Sequence, residues 1–222
     1  MKIALISDIH GNYSAFRAVW AEIKDYSLIM NVGDITGYYP DINESLKLLK
    51  NKKVINIFGN HDHYLLDGKL PFGKAEFLKK PFLNNLSTIT QDNLAFLQLL
   101  ESSLILSINN LTIGLFHGSL DNFEEYTYAD NNFEAFKNSG LDVVVLGHTH
   151  QPMLKKINQT LVVNPGSVGQ PRGLEKKSCY AIFDTQAKKV EFKKVYYNQT
   201  EICQKIELLG YDRQVIDILK EK

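Results

Sequence analysis

Short apolar runs, each ending in a polar cluster, alternate with helical spacing over the first 60 residues of the chain. Residues 2–7 read as a buried strand running into a loop. Ala15, Val19, Ala21 and Ile23 then recur at roughly helical spacing, with Asn12 or Ser14 placed to cap the start. Residues 28–32 form a second strand ending at Gly33-Asp34, and 42–49 a second helix. Residues 54–58 form a third strand that ends at Gly59-Asn60-His61-Asp62. Three strand-loop-helix units in succession predict a parallel sheet flanked by helices.

The rhythm then changes. The stretch 63–90 is irregular, with prolines at 71 and 81, and has room for short helices or a lid. Helical spacing returns at 92–101. Two apolar runs, 104–108 and 111–116, flank Asn109-Asn110, a hairpin signal because asparagine tolerates positive φ. A short helix is expected at 133–138 and a buried strand at 143–146. Further hairpins are expected about Asn158-Gln159 and around 185–188, and the tail 200–219 reads as a helix. No repeat, low-complexity tract or Gly/Ser linker interrupts the chain, so residues 1–222 are expected to form a single domain.

Composition narrows the function classes. Apolar residues make up 44% and charged residues 23% of the 222 positions, as in an ordinary folded protein. Lys+Arg and Asp+Glu are both 25, so no general nucleic-acid binding is expected, and an anionic substrate would be drawn in by a local site. The two cysteines, Cys179 and Cys203, lack CxxC spacing and argue against a disulfide framework. The apolar start stops at Ser7-Asp8, too short for a secretion signal, and no run reaches the length of a membrane span. A cytoplasmic home is therefore expected, with no membrane partner.

All six histidines lie in or beside polar clusters that follow expected strands. The clusters read Asp8-Ile9-His10, Gly33-Asp34, Gly59-Asn60-His61-Asp62, His117-Gly118 and Gly147-His148-Thr149-His150. The C-terminal ends of parallel strands share one edge of a sheet, so these groups can converge there. Imidazole, carboxylate and amide oxygen suit divalent Mn, Fe, Co, Ni or Zn. Residues two apart in Asp-x-His and His-x-His project to one side of extended backbone, or converge on one centre from a loop. Asp8 and Asp34 brought together without cations would repel, so metals would stabilise the arrangement.

The ordered set D-x-H, G-D, G-N-H-[DE], H and G-H-x-H resembles the calcineurin-like metallophosphoesterases, from Lys2 to at least Ser167. The stretches Gly33-Asp34-Ile35-Thr36-Gly37-Tyr38 and Asn164-Pro165-Gly166-Ser167-Val168-Gly169-Gln170-Pro171-Arg172 look like the small bacterial and archaeal phosphodiesterase-like branch. The resemblance implies a four-layer α/β/β/α sandwich holding two divalent transition-metal ions. Asp8, His10, Asp34 and His150 would hold one ion, and Asn60, His117 and His148 the other, with Asp34 bridging. It also implies hydrolysis of a small phosphate ester, a phosphodiester above all, by a metal-bridging hydroxide with His61 as general acid.

Protein serine/threonine phosphatases carry G-D-x-x-D-R-G, and this chain has Gly37 and Tyr38 where that second aspartate and arginine would stand. That departure counts against a protein phosphatase and leaves the partner of His61 open, with adjacent Asp62 a candidate. A nucleotide or dinucleoside-polyphosphate phosphatase is the nearest rival activity, and a non-catalytic module like the retromer subunit of this fold is a further one. Asn12 is either a helix cap or part of a phosphate-facing helix start, and Arg172 either a surface ion pair or a phosphate fork. His63 reads as a solvated loop residue, Asn164 to Ser167 as support beneath the metals, and Tyr38 and Tyr39 as packing or a pocket lining.

Overall fold

The computed structural model describes residues 1–51, 53–172 and 175–220. The first half contains β1 (Lys2–Ile6), α1 (Tyr13–Ile23), β2 (Ile29–Val32), α2 (Ile42–Leu49) and β3 (Val54–Ile57), then α3 (Asn60–Asp67), α4 (Lys79–Thr88) and α5 (Gln91–Gln98). The second contains β4 (Ser103–Ile108), β5 (Leu111–Phe116), α6 (Glu134–Lys137), β6 (Val143–Val145), β7 (Met153–Ile157), β8 (Thr160–Asn164), β9 (Ser178–Asp184), β10 (Lys189–Val195), α7 (Thr200–Leu208) and α8 (Arg213–Asp217).

The strands form two five-stranded sheets, ordered β10-β9-β1-β2-β3 and β4-β5-β6-β8-β7. Within them β1, β2 and β3 are parallel, as are β5, β6 and β8. Side-chain alternation turns these two sheets into four layers. Ile3 and Leu5 of β1 face a core between the sheets, together with Val143 and Val145 of β6. Ala4 and Ile6 face the opposite way, into a core shared with Phe16 and Val19 of α1 and Ile202 of α7. On the outer side of the second sheet, Val144 and Val162 pack against Phe133 and Phe136 around α6. The result is the α/β/β/α sandwich that the resemblance implies, with one outer helical layer reduced to a short helix.

Local chemistry explains several boundaries. Asn109 and Asn110 adopt φ of 50° and 61°, the left-handed pair a two-residue hairpin needs, and Asn158 does the same at 53°. The expected single helix at 200–219 is instead two. Gly210, at φ 62°, ends α7: its N–H donates to Glu207 O and that of Tyr211 to Ile206 O, the paired bonds of a Schellman cap. The irregular stretch 63–90 holds the rest of α3, a 3-10 turn at Glu76–Leu78 and α4. Both cysteines are free, and among the described residues no helix is long and apolar enough to cross a membrane.

Candidate metal centre

The C-terminal ends of β1, β2, β3, β5 and β6 come from both sheets and open onto one edge, where Asp8, His10, Asp34, Asn60, His117, His148 and His150 gather. Backbone bonds zip the loops together beyond the strands. Asp8 N–H donates to Gly33 O at 3.0 Å, and His10 N–H to Asp34 O at 2.9 Å. Five of the seven residues take left-handed backbone: Asp8 (φ 56°), His10 (52°), Asp34 (53°), His148 (65°) and His150 (61°). A side chain in that region costs on the order of 1–2 kcal/mol, and such strain concentrates at functional sites. Asp-x-His and His-x-His therefore converge through curled loops and not through extended backbone.

Two groups of ligating atoms share Asp34. Asp8, His10, Asp34 and His150 each offer an atom within 4.8 Å of the others, and so do Asp34, His117 and His148. Asn60 Oδ1 adjoins the second group, 3.2 Å from His117 Nε2. Asp34 Oδ2 lies 3.7 Å from His10 Nε2 and 3.2 Å from His117 Nε2, while its Oδ1 accepts the His61 N–H at 2.8 Å. Asp8 Oδ1 lies 3.4 Å from His150 Nε2, and Asp8 Oδ2 is buried without a hydrogen-bond partner among the described residues.

Backbone carbonyls set the imidazole tautomers. Nδ1 of His10, His117 and His150 faces the carbonyls of Thr36, Val32 and Gln170 at 3.1, 2.7 and 2.7 Å. Each Nδ1 must then carry the proton, leaving an Nε2 lone pair turned inward. His148 is reversed: its Nε2 faces Glu124 O at 3.1 Å, leaving Nδ1 for the cluster. Inward lone pairs, carboxylate oxygens and the orphaned Asp8 Oδ2 leave a buried centre rich in acceptors and poor in donors. A divalent cation fits that donor set, and the oxygen-nitrogen mixture matches Mn, Fe, Co, Ni or Zn.

Protons partly fill the role without a cation. Burial pushes the Asp8 carboxyl up to about 7, with Asp34 adding to the rise against His117. Burial alone would lower His117, but the Asp34 and Asp8 carboxylates push it up to about 9. Burial and the neighbouring His117 hold His148 down to about 3. For Asp34, burial is outweighed by His117 and His61, which keep it ionised.

Asn60, His61 and Asp62 occupy the first turn of α3, not a loop. Asp62 is not positioned to steer the His61 ring. Its oxygens accept from Ile35 N (3.1 Å), Thr36 N (2.8 Å), Thr36 Oγ1 (2.9 Å) and Gly59 N (3.0 Å), tying α3 to the loop after β2. The His61 ring packs against His10 and Tyr38, with centroids 4.9 and 5.1 Å away. Gly37, at φ 138°, leaves no space for a side chain: a Cβ there would lie 2.7 Å from His10 Nδ1 and 2.9 Å from His61 Nδ1.

Around this centre the other sequence candidates divide. Asn12 is the N-cap of α1, accepting from Ala15 N at 3.1 Å, and its Nδ2 donates to Gly169 O and Tyr197 Oη at 2.9 Å each. Fully buried and bonded on both sides, that side chain is not open to a substrate. Arg172 is half-buried, with its guanidinium 6.0 Å over the Tyr126 ring and near enough to Asp8 to sense its charge. Ser167 Oγ donates to Asp8 O, and Asn164 Nδ2 to Gly147 O, so this segment supports the loops from beneath. Tyr38 and Tyr39 are buried packing residues. His63 sits on α3, half-buried, 3.4 Å from Asp67 and stacked on Phe58.

Sequence reasoning missed three neighbours. Tyr126 stacks on His148 at 3.9 Å, Glu124 fixes that histidine through its carbonyl, and Tyr64 Oη donates to Glu124 Oε1 at 2.8 Å. Glu124 and Tyr126 lie between β5 and α6, in a stretch without apolar periodicity that would have marked them.

Known proteins share this sequence family and fold. The model of the calcineurin-like phosphoesterase superfamily domain matches residues 1–188. An uncharacterised protein of Methanocaldococcus jannaschii is 31% identical over 92% of this chain and 91% of its own. A phosphodiesterase of the same organism is 26% identical over 75% of this chain and 83% of its own. A metallophosphoesterase crystal structure from Sphaerobacter thermophilus superposes with a TM-score of 0.83 at 27% identity, covering 99% of this chain and 98% of that one. With its sandwich fold and its buried histidine-aspartate cluster, this chain belongs to the calcineurin-like phosphoesterase superfamily.

Proposed function

We propose that residues 1–222 act as one domain that hydrolyses small phosphate esters, phosphodiesters in particular, with two divalent cations. The observation that carries this reading is the pair of buried acceptor groups sharing Asp34. Asp8, His10, Asp34 and His150 would hold one ion, and Asp34, Asn60, His117 and His148 the other. When bound, the ions would supply Lewis acidity towards a phosphoryl oxygen and an activated water.

The chain's own groups do the rest. Asp34 Oδ2 serves both groups, while its Oδ1 anchors the start of α3, so the bridge and the acid histidine are held as one unit. His61 protonates the departing alkoxide as a P–O bond to water forms and the ester P–O bond breaks, a role worth about 10²–10⁴-fold. Arg172, held over Tyr126, meets charge on the non-bridging oxygens. The similarity to a relative named as a phosphodiesterase, 26% identical, supports the choice of diesters.

The test is hydrolysis of bis-p-nitrophenyl phosphate, p-nitrophenyl phosphate and nucleotides by purified protein, with and without chelator and with each candidate metal added back. Chelator-sensitive turnover strongest on the diester is expected. Absence of metal-dependent turnover on all three classes would refute the reading.

A further inference from the structure

The superfamily's protein phosphatases carry an aspartate where this chain has Gly37, and Asp62 is fully occupied elsewhere, so His61 needs another partner. Among the described residues, no side-chain hydrogen bond holds the His61 ring. A small cavity lies behind that ring, with room for about one ordered water. Gly37, His61 and Asn85 line it together with the apolar Leu65, Leu78 and Phe82.

Asn85 reaches this cavity from α4. Its Nδ2 donates to Gly37 O at 2.7 Å, which fixes the amide's orientation and turns Oδ1 the other way. That Oδ1 is buried and has no hydrogen-bond partner among the described residues. A buried acceptor left unpaired is costly and rare, so it points to a donor not yet counted. His61 Nδ1 faces the same glycine, close enough that a Cβ on Gly37 would be 2.9 Å away.

We infer that Asn85 is a positioning residue for His61: one water in the shared cavity accepts the Nδ1–H of that ring and donates to Asn85 Oδ1. The inference rests on the reading of His61 as the proton donor. A water there has Asn85 Oδ1, the His61 Nδ1–H and the second lone pair of Gly37 O as partners, within the roughly two to four a buried water requires. Nδ1 then keeps its proton, and Nε2 is the atom that gives one to the leaving oxygen. No covalent change occurs at Asn85. An amide carried on the helix after the active-site turn does the work that the phosphatases assign to a carboxylate inside it.

The test combines ring ¹⁵N NMR of the zinc-loaded full chain with kinetics of Asn85→Leu and Asn85→Asp. The expected spectrum has His61 as the Nδ1–H tautomer, lost in Asn85→Leu and restored in Asn85→Asp, where an acceptor oxygen returns. Should Asn85→Leu fail to fold, Asn85→Ser replaces it. Turnover of Asn85→Leu should fall about 10–100-fold on diphenyl phosphate, as when an outer-shell partner is removed. On bis-p-nitrophenyl phosphate, whose leaving group needs little protonation, the loss should be much smaller, with KM and zinc content unchanged. An unaltered His61 tautomer in Asn85→Leu would overturn the inference, as would equal losses on both esters. A wild-type protein inactive on every ester defeats the hydrolase reading instead, and the spectrum still decides Asn85.

Discussion

His10 and His150 face each other with their Nε2 atoms 3.0 Å apart, while the Nδ1 of each ring is held by a backbone carbonyl, Thr36 O and Gln170 O. Two inward lone pairs at that distance repel unless a cation or a proton lies between them. The same carbonyls that create the conflict also stop either ring from turning away. The fold thus builds a site whose resting state asks for positive charge, and several measurable consequences follow from where that charge comes from.

Removing metal should make stability depend on pH in a particular direction. In the metal-free protein His117 is raised to about 9, above its unfolded value near 6.5, because Asp34 and Asp8 favour its imidazolium over the effect of burial. A raised histidine contributes stability that is complete below 6.5 and lost as pH climbs through 9. The melting temperature of chelated protein should therefore fall between pH 6.5 and 9. Metal-loaded protein should show no such fall, since the ions displace the proton. Calorimetric melts of both forms across that window check this.

Asp34→Asn should weaken both ion sites together, because Asp34 is the one residue common to both acceptor groups. Loss of most bound metal by elemental analysis and loss of turnover are expected. His150→Ala, by contrast, touches one group only and should leave about one ion per chain.

His61→Ala should keep both ions and lower turnover by about 10²–10⁴-fold, the usual contribution of a positioned acid. The loss should be larger for esters with basic leaving groups. Metal content equal to wild type together with full activity would remove His61 from the mechanism.

Asp62→Ala should damage the fold before the chemistry. It strips a fully buried acceptor from three backbone donors, Ile35, Thr36 and Gly59 N–H, and from the Thr36 hydroxyl. A loss on the order of 3–5 kcal/mol is expected from that many unsatisfied groups. Chemical denaturation measures it, and a loss under 1 kcal/mol would show that water replaces the carboxylate.

Much of this arrangement is legible in the chain. The parallel pairing in the first sheet and the hairpins at Asn109-Asn110 and Asn158 follow from apolar periodicity and from asparagine's tolerance of positive φ. The seven clustered residues were visible because each follows a strand, and parallel strands deliver their ends to one edge. Contacts that span the chain were not legible. Asp62 looks like a neighbour of His61, yet besides Gly59 its partners are Ile35 and Thr36, 26 or 27 positions away. The left-handed backbone at Asp8, His10, Asp34, His148 and His150 has no local signal, because the surrounding loops impose it. Asn12 was ambiguous in sequence, and the bonds of its side chain to Gly169 and Tyr197, 157 and 185 positions away, have no local signal.

The most direct test of the two-ion account is a rate titration: chelated protein at known concentration receives increments of manganese while hydrolysis of bis-p-nitrophenyl phosphate is followed. The account predicts that activity rises and levels off at two equivalents of metal per chain, with Asp34→Asn flat throughout. A plateau at one equivalent, or no activity at any metal level, would contradict it.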